Sequence, residues 1–242
     1  MKPAAFFDAA AAAYDQPFHE QFYGRVAAEL AARLPAGLAV DNLLEAGAGT
    51  GFATQVLQDH FPGAQITALE PSPRMLARGK RRLPGAEWIC LPLDGMTPGS
   101  FDLVIASMSY QWLNGRERQK IVKLAAGGAL ALALPLSRHS NKNGNRTLRK
   151  IVFQMRGGNW PRQARRPRAV EASLRQCFQK LEFGSIAIDE EYENCQNLCR
   201  SLLERGAMHS LFGDRVETAA AALAAESGGA DFSWTIGLFV AW

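Results

Sequence analysis

The chain has 242 residues, 48% of them hydrophobic and 21% charged, with a formal net charge of +4. A chain of that length buries roughly 70% of its unfolded surface as one large domain, so no second autonomous core is required. Its longest apolar run, Ala129 to Leu136, has eight residues, far short of the ~20 a helix needs to cross a bilayer, which excludes a membrane span.

The alanine-rich start from Ala4 to Ala13 is interrupted by Asp8, and only Lys2 supplies a positive charge before it, so a secretory signal is not expected. Phe22, Val26, Ala27, Leu30 and Leu34 then recur at helical spacing, which predicts an amphipathic helix over 19–34 that ends at the Pro35 and Gly37 turn. Strands are predicted at 40–46, 65–70, 86–90, 101–107 and 127–134, with helices near 52–60, 73–82 and 116–125 between them. That alternation reads as βαβ units on a parallel sheet. The polar loop from Ser140 to Asn145 and the Gly, Pro and Arg mixture at 157–168 mark 137–180 as an insertion or lid. Order returns with a strand at 182–189, helices at 194–205 and 214–226, and a strand at 232–241. The expectation is one domain over 1–242, carrying that lid.

Cys90, Cys177, Cys195 and Cys199 form no C-x-x-C pair and have no histidine at metal-ligand spacing, so neither a metal site nor a disulfide framework is encoded. Reduced thiols in a cytoplasm are the expectation. The positive charge is concentrated: Arg138 to Arg175 holds eleven Lys or Arg against one acid, Glu171, leaving 16 bases and 22 acids elsewhere. Such a segment predicts a site for an acidic partner.

The segment from Leu43 to Gly51, L-L-E-A-G-A-G-T-G, follows a buried strand and precedes a helix. Its glycines let backbone approach a ligand at the carboxyl end of the strand. A dinucleotide fingerprint would need glycine at position 52, which is Phe; an acid two residues before G-x-G-x-G is instead the pattern of methyltransferases. Glu45 is placed to accept the ammonium of a methionine group, and Glu70, nineteen residues after Gly51, to take the hydroxyls of a ribose. The plain alternative is a tight turn made by Gly47, Gly49 and Gly51, with both acids solvated.

Phe101 to Ser107 (F-D-L-V-I-A-S) followed by Tyr110-Gln111-Trp112-Leu113 resembles a subgroup of the class I S-adenosylmethionine-dependent methyltransferases. This subgroup includes the BioC family, malonyl-acyl carrier protein O-methyltransferases of biotin synthesis, and the trans-aconitate methyltransferases. Phe7 to Asp15, Leu202 to His209 and Thr235 to Val240 are similar to the BioC family in particular. The resemblance implies a Rossmann-like α/β fold with a seven-stranded, mostly parallel sheet whose last strand, 232–241, is antiparallel. It implies S-adenosylmethionine as cofactor, with Tyr14, Pro71, Met75 and Ser107 joining the glycines and the two acids around it. For the adenine pocket either Asp94 or Cys90 occupies the position where the family has an acid. Ala48, Ser107 and Cys90 depart from the family's commoner residues on this side.

Methyl transfer to a carboxylate uses a nucleophile already ionised at neutral pH, so no strong base is needed and positioning dominates. That suits a chain with four histidines and no evident acid-base dyad. Tyr14, Gln111, Trp112 and His209 are the candidates for lining the transfer site; as alternatives, the aromatics are core residues, Gln111 caps a helix and His209 is a loop residue. On a helix over 146–156, Arg146, Arg149, Lys150, Phe153 and Arg156 share one face. Together with Arg162, Arg165, Arg166 and Arg168, they form the candidate docking face for an acidic acyl carrier protein. The competing readings are a small free polycarboxylate gripped by arginines, a nucleic acid, against the run of motifs, and a non-catalytic cofactor-binding module acting as a partner subunit. A monomer in the cytoplasm is expected, with no nucleic acid or membrane partner.

Overall fold

The computed structural model describes residues 3–97, 99–136, 142–156, 167–227 and 230–242. Two helices, α1 (Pro3–Tyr14) and α2 (Pro17–Ala31), lead into β1 (Asn42–Ala46), α3 (Phe52–His60), β2 (Gln65–Leu69), α4 (Pro73–Arg82), β3 (Glu87–Ile89), β4 (Leu103–Ser107), α5 (Gly115–Leu124) and β5 (Ala129–Pro135). The remainder forms α6 (Asn143–Arg156), α7 (Pro167–Leu174), β6 (Leu181–Glu190), α8 (Cys195–Glu204), α9 (Ala207–Phe212), α10 (Val216–Ala224) and β7 (Phe232–Ala241).

The seven strands lie in the order β3-β2-β1-β4-β5-β7-β6. β1 pairs in parallel with β2 on one side, Leu44 opposite Thr67, and with β4 on the other, Leu44 opposite Val104. β7 runs antiparallel between β5 and β6. Beyond the ends of β6 and β7, Lys180 and Trp242 exchange reciprocal backbone hydrogen bonds of 2.9 and 3.1 Å. The expected seven-stranded α/β fold with an antiparallel last strand is therefore the fold of the chain. Because the chain leaves β1 in one direction and resumes at β4 in the other, a crevice opens at their carboxyl ends, where sheets of this kind bind ligands.

The chain divides into two compact units. The first contains Met1–Leu134, Pro167–Ser185 and Ile236–Trp242; the second contains Pro135–Arg166 and Ile186–Thr235. The first is built on a cluster that includes Leu44, Val104, Ile121, Leu130 and Phe239, all buried, with Val170 and Leu174 of α7 joining it. In the second, Arg205 makes a bidentate pair with Glu190 at 2.7 and 2.8 Å, and Glu190 Oε2 also accepts from the Tyr192 hydroxyl and from Trp234 Nε1.

The stretch expected to act as one lid, 137–180, is shared between these units: α6 belongs to the second and α7 to the first. Residues 137–141 and 157–166, including Arg162, Arg165 and Arg166, lie outside the described residues, as does the side chain of Arg156. On α6, Leu148, Ile151 and Val152 are buried, whereas Phe153 is 69% exposed. Among the described residues no helix is long and apolar enough to cross a membrane, and no group of His, Cys, Asp and Glu is arranged to hold a metal ion.

Candidate active site

Each residue of the glycine loop has a local reason to be where it is. Gly47 and Gly49, at φ of 75° and 59°, adopt the left-handed conformation that a side chain disfavours. A Cβ on Gly47 would also stand 2.6 Å from that of Ser109. The amides of Gly47 and Ala48 both donate to the Leu69 carbonyl, at 2.8 and 3.0 Å, so the loop folds back over the end of β2. Arg82 Nε donates to the Thr50 carbonyl at 3.0 Å, and its guanidinium lies 4.2 Å above the Phe52 ring.

Two buried carboxylates flank this loop. Glu45, on β1, is 1% exposed and accepts a 2.6 Å hydrogen bond from the Thr54 hydroxyl. Burial pushes its carboxyl up to about 8, against the lowering effect of that hydrogen bond, and the Glu70 charge adds to the rise. Glu70 follows β2. Its Oε2 accepts from Gly49 N at 2.9 Å and its Oε1 from Ser72 N at 2.8 Å. Burial raises its carboxyl too, with the two amides opposing. Each oxygen retains a lone pair for a further donor.

Between the acids and α1 lies a cavity of about 650 Å3, a volume typical of small-molecule sites. The glycine loop, Glu45, Glu70, Pro71 and Met75 form one side, and Tyr14 and Phe7 of α1 another. The Phe7 ring meets Trp112 edge to face at 5.5 Å and Tyr14 at 6.2 Å, so three aromatics adjoin. Thr50 Oγ1 and Ser107 Oγ, both on the wall, are buried without a hydrogen-bond partner. Such groups carry a desolvation cost until a ligand or water meets them. The cradle thus suits a ligand with polar groups at both ends, cationic at the Glu45 end.

The structure brings most of the sequence candidates together. Tyr14, Glu45, Gly47, Gly49, Glu70, Pro71, Met75, Asp94, Ser107 and Trp112 all line the cavity, while Gly51 starts α3 directly beside them. Of the two candidates for the adenine pocket, Asp94 is on the wall; Cys90 is exposed and is not among the lining residues.

Two transfer-site candidates are not among the lining residues. Gln111 is off the wall: its Nε2 donates to the Met108 carbonyl at 2.6 Å, and it does not cap α5, whose capping box is made by Asn114 and Glu117. It braces Met108, a cavity residue at φ 56°, where a non-glycine residue stores of order 1–3 kcal/mol of strain. His209 lies on α9, in the second unit, with its imidazole held below the usual histidine range by burial. Sequence reasoning missed Phe7; its spacing from Ala11 and Tyr14, i, i+4 and i+7, was the available signal.

Residues 43–127 match the family model described as a methyltransferase domain. The fold is the one shared by class I S-adenosylmethionine-dependent methyltransferases. The chain is 35% identical over 136 residues to a trans-aconitate 2-methyltransferase of Paracidovorax citrulli, covering 54% of this chain and 51% of the relative. It is 37% identical over 87 residues to a malonyl-[acyl-carrier protein] O-methyltransferase of Anoxybacillus flavithermus, covering 35% and 33%. The chain thus spans about half the length, or less, of these curated relatives.

Two solved structures share the fold at low identity. The phospholethanolamine N-methyltransferase 2 of Haemonchus contortus superposes with a TM-score of 0.55 at 14% identity, covering 90% of this chain and 52% of that one. The [4+2]-cyclase SpnF superposes at 0.52 with 19% identity, covering 90% and 80%. A cyclase and an N-methyltransferase on one fold show that the fold alone does not choose the reaction.

Proposed function

We propose that this protein is an O-methyltransferase that esterifies a carboxylate at the expense of S-adenosylmethionine, and that its acceptor is a malonyl-type thioester on an acidic acyl carrier protein. Bound in the cradle, S-adenosylmethionine supplies an electrophilic methyl group on a sulfonium. Glu45 holds the ammonium end and Glu70 the ribose hydroxyls, while Asp94 serves the adenine side and the orphaned hydroxyls of Thr50 and Ser107 gain partners. Tyr14, Phe7 and Trp112 exclude water from the reacting carboxylate, and desolvation makes that oxygen a better nucleophile. No side chain needs to remove a proton, because the acceptor is ionised at neutral pH.

The observation that carries the acceptor assignment is the charge of the wall. Among the described residues the cavity presents Glu45, Glu70, Asp94 and Glu117 and no Lys, Arg or His. A free tricarboxylate would bring two further negative charges that this wall cannot pair. A malonyl thioester brings one carboxylate, the one that reacts, and the cationic groups for recognising its carrier sit on α6. There Phe153 stands 69% exposed beside Arg149 and Lys150, an unusual surface for a solvated helix and a fit for an acidic partner.

A second reading, methylation of a small free polycarboxylate, has one finding in its favour: several of the most extensive matches are trans-aconitate 2-methyltransferases. Turnover with labelled S-adenosylmethionine separates the two. The expected result is transfer to the malonyl carrier protein and little to trans-aconitate, with Arg149→Glu/Lys150→Glu raising the KM for the carrier substrate about tenfold at low salt while kcat holds. Faster transfer to the free acid, or a KM untouched by charge reversal, would contradict the carrier assignment.

A further inference from the structure

The contacts between α1 and α4 go beyond closing a cavity. Asp8 Oδ1 accepts two hydrogen bonds, from the Ser72 hydroxyl at 2.8 Å and from Arg74 N at 2.9 Å. Ser72 is fully buried. Its hydroxyl has one proton, given to Asp8, and one of its lone pairs is used to cap α4 by accepting from Met75 N at 3.2 Å. Its amide in turn donates to Glu70 Oε1, and Glu70 Oε2 accepts from Gly49 N. Pro71 and Pro73 flank Ser72, so the turn that carries it has little backbone freedom. An unbroken chain of hydrogen bonds therefore runs from α1 through Asp8, Ser72 and Glu70 to the glycine loop.

We infer that Asp8 is a positioning residue for the nucleoside site: through Ser72 it couples the docking of α1 to the orientation of the Glu70 carboxylate. This rests on the cradle taking S-adenosylmethionine, as proposed above. With α1 seated, the Ser72 hydroxyl is fixed, its amide points at Oε1, and Glu70 is held to meet two hydroxyls. With α1 displaced, the hydroxyl is released to rotate and the amide–carboxylate contact loses its anchor. The far end of α1 is held in a different way: Asp15 pairs with Arg78 at 2.7 Å and with Arg82 at 3.7 Å, contacts that do not pass through Ser72. Asp15 is thus the internal comparison: it reaches the glycine loop through Arg82 and the Thr50 carbonyl, and not through the Glu70 carboxylate.

The test is a thermodynamic cycle on S-adenosylhomocysteine binding by calorimetry. Asp8→Ala is expected to raise Kd about tenfold in the wild-type background and to have little further effect on top of Glu70→Gln, because its influence travels through that carboxylate. Asp8→Asn, which keeps the acceptor oxygen and removes only the charge facing Arg74, recovers most of the affinity, and Asp15→Ala costs less than Asp8→Ala. Equal effects of Asp8→Ala in both backgrounds, or Asp8→Asn as damaging as Asp8→Ala, would overturn the relay and leave a simple ion-pair latch. Should Asp8→Ala not fold, Ser72→Ala removes the same contact from the other side and is judged by the same cycle. A wild-type protein that bound no nucleoside would overturn the proposed function and this inference together; normal wild-type binding with an indifferent Asp8→Ala would overturn this inference alone.

Discussion

Glu45 makes the stability of the protein respond to pH. Its ordinary value is 4.5 and burial lifts it to about 8, so across that interval the folded state keeps a proton that the unfolded chain releases. The favourable contribution is full below the ordinary value and is lost as pH rises through the raised one, at up to about 1.4 kcal/mol per pH unit. Thermal melting of the wild type is expected to fall between pH 5 and 8, and Glu45→Gln, which still offers Thr54 an acceptor, to melt higher at pH 8 with a shallower slope. Equal slopes for the two proteins would show that the carboxyl titrates as an ordinary surface acid. The same substitution should weaken cofactor binding, since a glutamine cannot give up a proton to form the carboxylate that an incoming ammonium favours.

At the scale of elements, the second unit depends on one buried ion pair. Arg205, directly after α8, is almost wholly buried and anchored to Glu190 of β6, which also serves Tyr192 and Trp234. The hydrogen bonds and charge of Arg205 outweigh burial and hold the Glu190 carboxyl below its usual value. Glu190→Gln leaves the guanidinium without its counter-charge, and the expected loss is roughly 3–5 kcal/mol, read as a drop in denaturant midpoint at pH 7 that narrows as the wild type is taken below pH 4. An unchanged midpoint would mean that the pair is replaceable by a neutral hydrogen bond.

Elements with a strong period were legible in the sequence. The strand at 232–241 and the helices at 52–60 and 73–82 match β7, α3 and α4 residue for residue, because alternation, caps and the Pro-Ser-Pro start all point the same way. α1 and α7 were not read as helices from residue pattern. α1 is nearly all alanine and aromatic, with little polar contrast to set a face, and its partner is the distant α4. α7 is eight residues behind an arginine-rich stretch, and it earns its place by burying Val170 and Leu174 in a core that local sequence does not announce. At the site, glycines and acids were readable from spacing, whereas the placement of Gln111 behind Met108 depends on a left-handed turn with no sequence mark.

For the molecule as a whole, charge is divided between regions. The cavity of the first unit is lined by acids, as the proposed cationic methyl donor requires, and α6 of the second unit carries Arg146, Arg149 and Lys150, the last paired with Glu226, as the proposed acidic carrier requires. A net charge of +4 conceals both. The donor side is the foundation, since the acceptor assignment and the Asp8 relay have meaning only if the cradle binds the nucleoside. The decisive measurement is isothermal titration of the folded wild type and of Gly49→Val with S-adenosylmethionine. One site per chain is expected in the wild type and at least a roughly hundredfold loss in the variant, whose side chain would stand in the left-handed loop beside Glu70. A well-folded wild type that gives no heat, or a variant that binds equally well, would contradict it.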